Sequence, residues 1–419
     1  MKKRIAASAL AALLAVTSFT GCRTSSKSKN LVEDIKPNPV PVYKSFDKNE
    51  QEKVAEFAAQ IIRNTESENG NLIVSPVSVL YALAMTANGA DAKTLAQMEY
   101  VFGMDIQTLN DYLHSTVSVL PSDEGYTLDI ANSLWITNDE GKFVVNKDFL
   151  SVVKSYYDAG VFSADFTNKG TINDINDWVT RQTNGQIQNI LEKVDPSAVM
   201  YLVNAINFEA DWIKEYTSDD VRDGIFTRQD GSTQDAEFMY MNEYAYLEDE
   251  NTTGFIKYYK DKKYAFVGLL PAENIKMEDY LKTLSGEKIT NLLGNISEEK
   301  VVTGMPKFEV TYGTEMSEIF KALGMTDAFN AETADFTKMG QTQTGENVCI
   351  DKIIHKAFIR VAEKGTQAGA ATVVGMMVGG AAPGQQQPKK VFLDRPFVYM
   401  IIDTENNLPL FMGTVCEIE

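Results

Sequence analysis

Residues 365–388 read GTQAGAATVVGMMVGGAAPGQQQP, without one charged residue, in a chain that is 23% charged. A window of that length should hold about five charges. It also exceeds the roughly 12–15 residues beyond which an unstructured connection is usually functional or disordered. Its first half, residues 366–374, alternates small, β-compatible residues as a strand would, whereas Gly/Ser linkers are indifferent to pattern. Strand patterns flank it at 353–362 and 391–402. The stretch reads as a long exposed loop whose first half can become a strand. Composition alone leaves a floppy surface insertion equally open.

The neighbouring residues break that tie. Glu363-Lys364-Gly365-Thr366-Gln367-Ala368-Gly369-Ala370-Ala371-Thr372 resembles the hinge of inhibitory serpins, a family of protein protease inhibitors. Downstream, Phe392-Leu393-Asp394-Arg395-Pro396-Phe397 and Pro409-Leu410-Phe411-Met412-Gly413 are similar to the family's closing signature. Upstream, Asn71, Ser75, Pro76 and Ser78, followed by Asn88-Gly89-Ala90, resemble its buried second helix, with Ser75 a natural N-cap and Pro76 at the first helical position. Asn176-Asp177-Trp178-Val179 with Thr183-Asn184-Gly185-Gln186-Ile187 match another landmark. Here Ile175, Trp178 and Val179 form an apolar stripe, and Asn184-Gly185 a helix stop. Strands are expected at 128–137, 201–208, 264–271 and from Met305 onward, and a helix end with a turn at 323–329. Asn204 stands out, because an amide in an apolar strand needs hydrogen-bond partners if buried.

The N-terminus reads differently. Lys2, Lys3 and Arg4 precede an apolar run from Ile5 to Val16, a secretory n-region and h-region too short for a permanent span. Residues 1–21 therefore read as a signal peptide. Gly21-Cys22 is similar to a bacterial lipobox, which predicts acylation of Cys22 and a membrane-anchored, extracytoplasmic protein. Residues 22–45, with Pro37, Pro39 and Pro41, read as a flexible tether reaching about 60–70 Å if extended. Residues 46–419 read as one unit, with no linker-like break, repeat or charge block. The net charge is −19, and −19 − 3 = −22 without Lys2, Lys3 and Arg4. Such acidity argues against nucleic-acid partners. Apart from Cys22 only Cys349 and Cys416 remain, which excludes a disulfide framework but leaves a single bridge open.

An enzyme fails on inventory. His114 and His355 are the two histidines; the first falls in a surface helix pattern, the second inside a buried strand pattern. No phosphate-cradling loop, HExxH or dinucleotide fingerprint is present, and no metal or cofactor is expected.

The resemblance implies an α+β fold with three β-sheets, about nine helices and an exposed reactive-centre loop at about residues 363–390. It also implies a suicide mechanism. A serine protease attacks the loop, forms an acyl-enzyme, and is dragged as the cut loop inserts into the main sheet as a new strand. Insertion requires one loop face small enough to bury. Thr366, Ala368, Ala370 and Thr372 satisfy this, and Gly365 supplies the hinge after Glu363. Counting along the usual hinge length puts the scissile bond near Gly379-Gly380, with Met377 or Val378 as alternative bait residues. The loop is about six residues longer than the commonest form, and the extra length is placed at 381–387. Ser75, Ser78, Asn204 and His355 are expected to meet in a buried polar shutter beneath the sheet. A monomeric protein is expected, with a non-inhibitory binding module as the alternative function.

Overall fold

The computed structural model describes residues 28–43, 46–67, 69–116, 126–138, 143–342, 347–366 and 388–418. Nine α-helices lie among them: α1 (Lys48–Asn64), α2 (Pro76–Ala87), α3 (Ala92–Phe102), α4 (Ile106–Thr116), α5 (Lys147–Val152), α6 (Gly170–Gln182), α7 (Met277–Thr283), α8 (Gly286–Gly294) and α9 (Ser317–Ala322). Local chemistry sets their ends. Asp47 and Glu50 close a capping box on α1. The Ser75 hydroxyl accepts from the Ser78 N–H at the start of α2, with Pro76 in the first turn. After α6 the chain turns through left-handed backbone at Asn184 and Gly185, as expected from that pair.

The main sheet has seven strands: β1 (Lys29–Asn30), β2 (Tyr126–Thr137), β3 (Gly160–Ala164), β4 (Met200–Asp211), β5 (Phe308–Glu315), β6 (Lys352–Val361) and β7 (Gly365–Thr366). Their spatial order is β1-β3-β2-β4-β7-β6-β5, and β4 also pairs directly with β6. Every residue of α2 is buried, and the helix packs against β2, β4 and Leu408–Val415. This suits its small Ala82, Ala84 and Ala87, which permit close approach. The opposite face is covered by α6. Its Ile175 and Val179 pack with Ala131, Trp135, Tyr201 and Val203, and burial of each aliphatic side chain is worth about 1.5–3 kcal/mol. Ile175→Asp would undo this packing by putting an unpaired charge between helix and sheet.

Two further sheets complete the core. One has six strands, in the order Leu72–Val74, Leu408–Val415, Phe397–Asp403, Tyr264–Pro271, Thr252–Tyr258 and Tyr246–Glu248. The other has four: Lys389–Phe392, Val301–Pro306, Thr233–Glu243 and Val221–Thr227. A two-stranded ribbon of Phe143–Val145 with Gly340–Thr342 adds to the three sheets expected.

Three expectations change. The strand pattern at 305–310 belongs to two strands, since Val301–Pro306 ends in the four-stranded sheet and β5 begins at Phe308 in the main one. The chain crosses between sheets at Lys307, a single residue between the two strands, so periodicity carries no mark of it. The pattern at 391–402 divides likewise at Asp394-Arg395-Pro396. The flexible tether assigned to 22–45 does not hold for residues 28–43, which lie along the body. β1 pairs with the sheet edge at β3, Val32 is buried, and the Asn38 and Tyr43 N–H groups donate to the Ser155 and Ser115 hydroxyls at 2.8 and 2.9 Å. Prolines enforce extended backbone, and that geometry serves docking along an edge as well as it serves a spacer.

Candidate functional site

β6 ends at Val361, and Ala362, Glu363 and Lys364 turn the chain back so that β7 enters the sheet between β4 and β6. The turn is tied down by its backbone. The Ala362 N–H donates to the Gly365 carbonyl at 3.0 Å, and the Trp212 and Tyr216 N–H groups donate to the Lys364 and Glu363 carbonyls at 2.7 and 2.9 Å. The Trp212 indole N–H donates to the Ala362 carbonyl at 2.9 Å. Gly365 is required here: a Cβ would sit 1.9 Å from the Ala210 carbonyl oxygen. Thr366 is 1% exposed and its hydroxyl shares a hydrogen bond with Tyr259, whose ring stacks on Trp212 at 4.3 Å. The first two residues of the loop stretch thus already occupy the sheet.

Below this wedge β4 and β6 close on each other. They pair in parallel over six residues each, from Tyr201 with Lys352 to Ile206 with Ala357. Under the seam lies a fully buried polar cluster. The Ser75 N–H donates to His355 Nε2 at 3.1 Å, which assigns the ring proton to Nδ1, and Nδ1 donates to Asn204 Oδ1. Asn204 Nδ2 reaches both Ser78 Oγ and Asn132 Oδ1. Burial pushes the His355 pKa down to about 3, so the ring is neutral at ordinary pH. The bond between Asn204 on β4 and His355 on β6 crosses the seam between the two strands. Ser75, Ser78, Asn204 and His355 are brought together; Asn132 is a fifth member that sequence reasoning missed. Its signal was weaker than that of Asn204, because its strand also carries Asp129 and Ser133.

At the hinge, partial burial opposes ionisation of Glu363, but the Lys307 ammonium beside it prevails and holds its carboxyl below the ordinary value. Lys307, Trp212 and Tyr259 complete the hinge environment and were not singled out in the sequence, because their contacts come from distant strands. The remaining expected positions, Ala368, Ala370, Thr372, Met377, Val378, Gly379, Gly380 and Cys22, lie outside the described residues. The Ser75 hydroxyl donates to the Leu410 carbonyl at 2.7 Å rather than to His355, and His114 Nδ1 faces the Tyr156 carbonyl at 3.2 Å. Cys349 and Cys416 are free thiols, pushed up to about 11 and about 12, chiefly by burial.

A family model described as "Serpin (serine protease inhibitor)" matches residues 52–418. A serpin-like protein of Thermococcus kodakarensis is 31% identical over 365 residues, covering 85% of this chain and 83% of that one. A leukocyte elastase inhibitor of Xenopus laevis is 31% identical over 368 residues, covering 84% and 94%. Among solved structures, the thermophilic serpin tengpin in its native state is 43% identical with a TM-score of 0.87, covering 93% of this chain and all of that one. Tengpin in its latent state superposes less well, at 0.78.

Proposed function

The chain belongs to the serpin family, and we propose that it is a suicide-type inhibitor of serine proteases with an elastase-like or subtilisin-like target. One observation carries this reading. The main sheet is closed along a short parallel seam, and the stretch after Val361 stands at the head of that seam with Gly365 and Thr366 already seated. By strand alternation, side chains following Thr366 at every second position would enter the face that Thr366 occupies, and Ala368, Ala370 and Thr372 are small enough to bury there. Cleavage near residues 377–380 would free the arm that follows Thr366 to continue β7 down the seam. An acyl-enzyme formed at the cut would travel with it.

Specificity follows from what the bait lacks. Residues 365–388 hold no Lys or Arg, so a trypsin-like pocket with a buried carboxylate has nothing to pair with. Small and medium apolar side chains suit shallow pockets. Incubation with a panel of serine proteases, followed by denaturing gels and sequencing of the released peptide, tests the proposal. Gel-stable complexes with elastase or subtilisin and none with trypsin are expected. Cleavage without any stable complex would instead support a non-inhibitory binding module. Acylation of Cys22, and with it anchorage on the outer face of a bacterial membrane, is a separate proposal; loss of lipid labelling in Cys22→Ala is its test.

A further inference from the structure

Positive charge is scarce in a chain of net charge −19, yet two arginines meet at one cleft. The cleft, of about 340 Å³, opens where three segments converge: the turn between Val221–Thr227 and Thr233–Glu243, the approach to α7, and the connection at 394–396. Arg228 stands in the first and Arg395 in the last, and Pro271, Ile275, Met277 and Pro396 supply an apolar wall. Backbone bonds fix the frame. The Arg228 N–H donates to the Ser232 carbonyl and the Thr227 N–H to the Asp394 carbonyl, each at 2.8 Å.

Both arginine side chains are mostly buried, at 33% and 26% exposed. Of the ten N–H groups they carry, three have hydrogen-bond partners among the described residues. These are Ser232 Oγ and Asp394 Oδ1, each at 3.4 Å, and the Pro271 carbonyl at 2.8 Å. Arg228 Nε is buried without one, and its ion-pair partner Glu417 stands 3.4 Å away. Burial pushes the Asp394 carboxyl above its ordinary value, which weakens it as a counter-ion to Arg395. A cation drawn out of water with its donors unused is costly and calls for an explanation. At the rim, Glu273 and Lys276 are exposed and of opposite sign, so the inner charge is that of the two arginines. A guanidinium fork matches a carboxylate through two parallel bonds. The apolar wall asks for a hydrophobic body rather than a bare ion.

We propose that the cleft between the 228–232 turn, the 271–277 segment and Arg395 binds an aryl carboxylate of about two rings, with its carboxylate on Arg228 and Arg395 and its rings on Pro271, Ile275 and Pro396. None of the hinge or seam residues lines this cleft, and the test below involves no protease. Its failure is therefore distinguishable from a failure of the inhibitory reading.

Three probes separate the charge from the apolar fit: 2-naphthoate, the neutral 2-naphthamide of nearly equal shape, and acetate, which has the carboxylate without the rings. Titration calorimetry on the full chain at low salt should show naphthoate binding about tenfold or more tighter than either of the others. Arg228→Met keeps much of the stem packing, and should weaken naphthoate about tenfold while leaving naphthamide within about twofold. Arg395→Met should do the same; should it fail to fold, Arg228→Met decides. Lys338→Met removes an equal charge from a surface pair with Asp91, outside the cleft, and should leave every affinity unchanged. Equal affinities for naphthoate and naphthamide, undiminished naphthoate binding by Arg228→Met, or as large a loss in Lys338→Met would overturn the site. Acetate binding as tightly as naphthoate would overturn the part assigned to the apolar wall.

Discussion

The centre of the main sheet and the centre of the six-stranded sheet are both buried, yet they are held by different chemistry. In the six-stranded sheet, Phe397–Asp403 and Leu408–Val415 pair antiparallel, and every residue of both strands is buried. Its occasional polar groups are satisfied in place: the Tyr399 hydroxyl, for example, donates to the Leu72 carbonyl at 3.0 Å. The β4–β6 seam is parallel and short, and beneath it stand two serines, two asparagines and a histidine. Apolar interdigitation has no alternative partner of equal value, so the first region has one arrangement. Hydrogen bonds can be exchanged for others of similar worth, so the second can open if an incoming strand supplies replacements. The polar groups are concentrated where the sheet would part.

The largest expected effect breaks the exchange itself. Thr366→Arg places a cation where the threonine is already buried against Tyr259, so the first residues of the arm must either leave the sheet, removing the seated start from which insertion proceeds, or bury the charge unpaired at a cost of several kcal/mol. Each 1.4 kcal/mol is tenfold, so the yield of covalent complex should fall by about 100-fold or more while cleavage continues. Undiminished complex on denaturing gels would sink the insertion reading.

Next come paired substitutions that set the two regions against each other. Ile401→Ala removes a fully buried side chain from the six-stranded sheet and should cost about 2–5 kcal/mol in equilibrium unfolding. No rise in polymer is expected at equal distance below its midpoint. His355→Ala orphans the Ser75 N–H and Asn204 Oδ1, about 1–3 kcal/mol for each lost partner, and should also raise polymer formation. Native gels after mild heating check both. Equal polymer from the two variants would erase the distinction.

The same contrast has a pH signature. His355 titrates near 6.5 when unfolded and near 3 when folded, so between those values the unfolded chain binds more protons. Its contribution to stability is complete above about pH 6.5 and is lost progressively as pH falls toward 3. The slope it adds is at most about 1.4 kcal/mol per pH unit. Denaturant titrations from pH 7 to 4 should show a shallower decline in His355→Gln than in the unmodified chain. Parallel declines would mean that the ring is not held neutral by the fold.

Much of this site was legible because its chemistry is local or exceptional. Ser75-Pro76 announces a helix start whatever surrounds it, and Asn204 is conspicuous among Tyr201, Leu202, Val203 and Ile206. Gly365 marks a place where chains approach closely, and the Ala210 carbonyl shows which chain. What escaped depends on long-range placement. Nothing in 305–310 says that Pro306 and Phe308 serve different sheets, since both strands share one period. Residues 28–43 looked like spacer because an edge strand needs only backbone groups, which composition does not display. Asn132 was readable by the rule that found Asn204, but the 128–137 strand pattern also carries polar Asp129 and Ser133, which made one more amide unremarkable.

The smallest effect tests whether the hinge belongs with the exchangeable region or merely borders it. Lys307 joins β5 to the turn through Glu363 and also pairs with Glu237 at 3.2 Å. These groups are partly exposed, so an ion pair of this kind is worth about 0.2–1 kcal/mol after solvent screening. Lys307→Met keeps the stem packing and removes the charge, and should lower the midpoint by about 1–2 °C at low salt. Glu363 has its folded carboxyl held below the ordinary value, so its stabilisation is present above the ordinary carboxylate range and disappears as pH falls through the folded value. The gap between the unmodified chain and Lys307→Met should therefore narrow in acid, and should narrow also at about 1 M salt, where the Debye length is near 3 Å. A loss as large as that of His355→Ala, or one indifferent to salt and acid, would place the hinge in the rigid part of the fold and confine exchange to the seam below it.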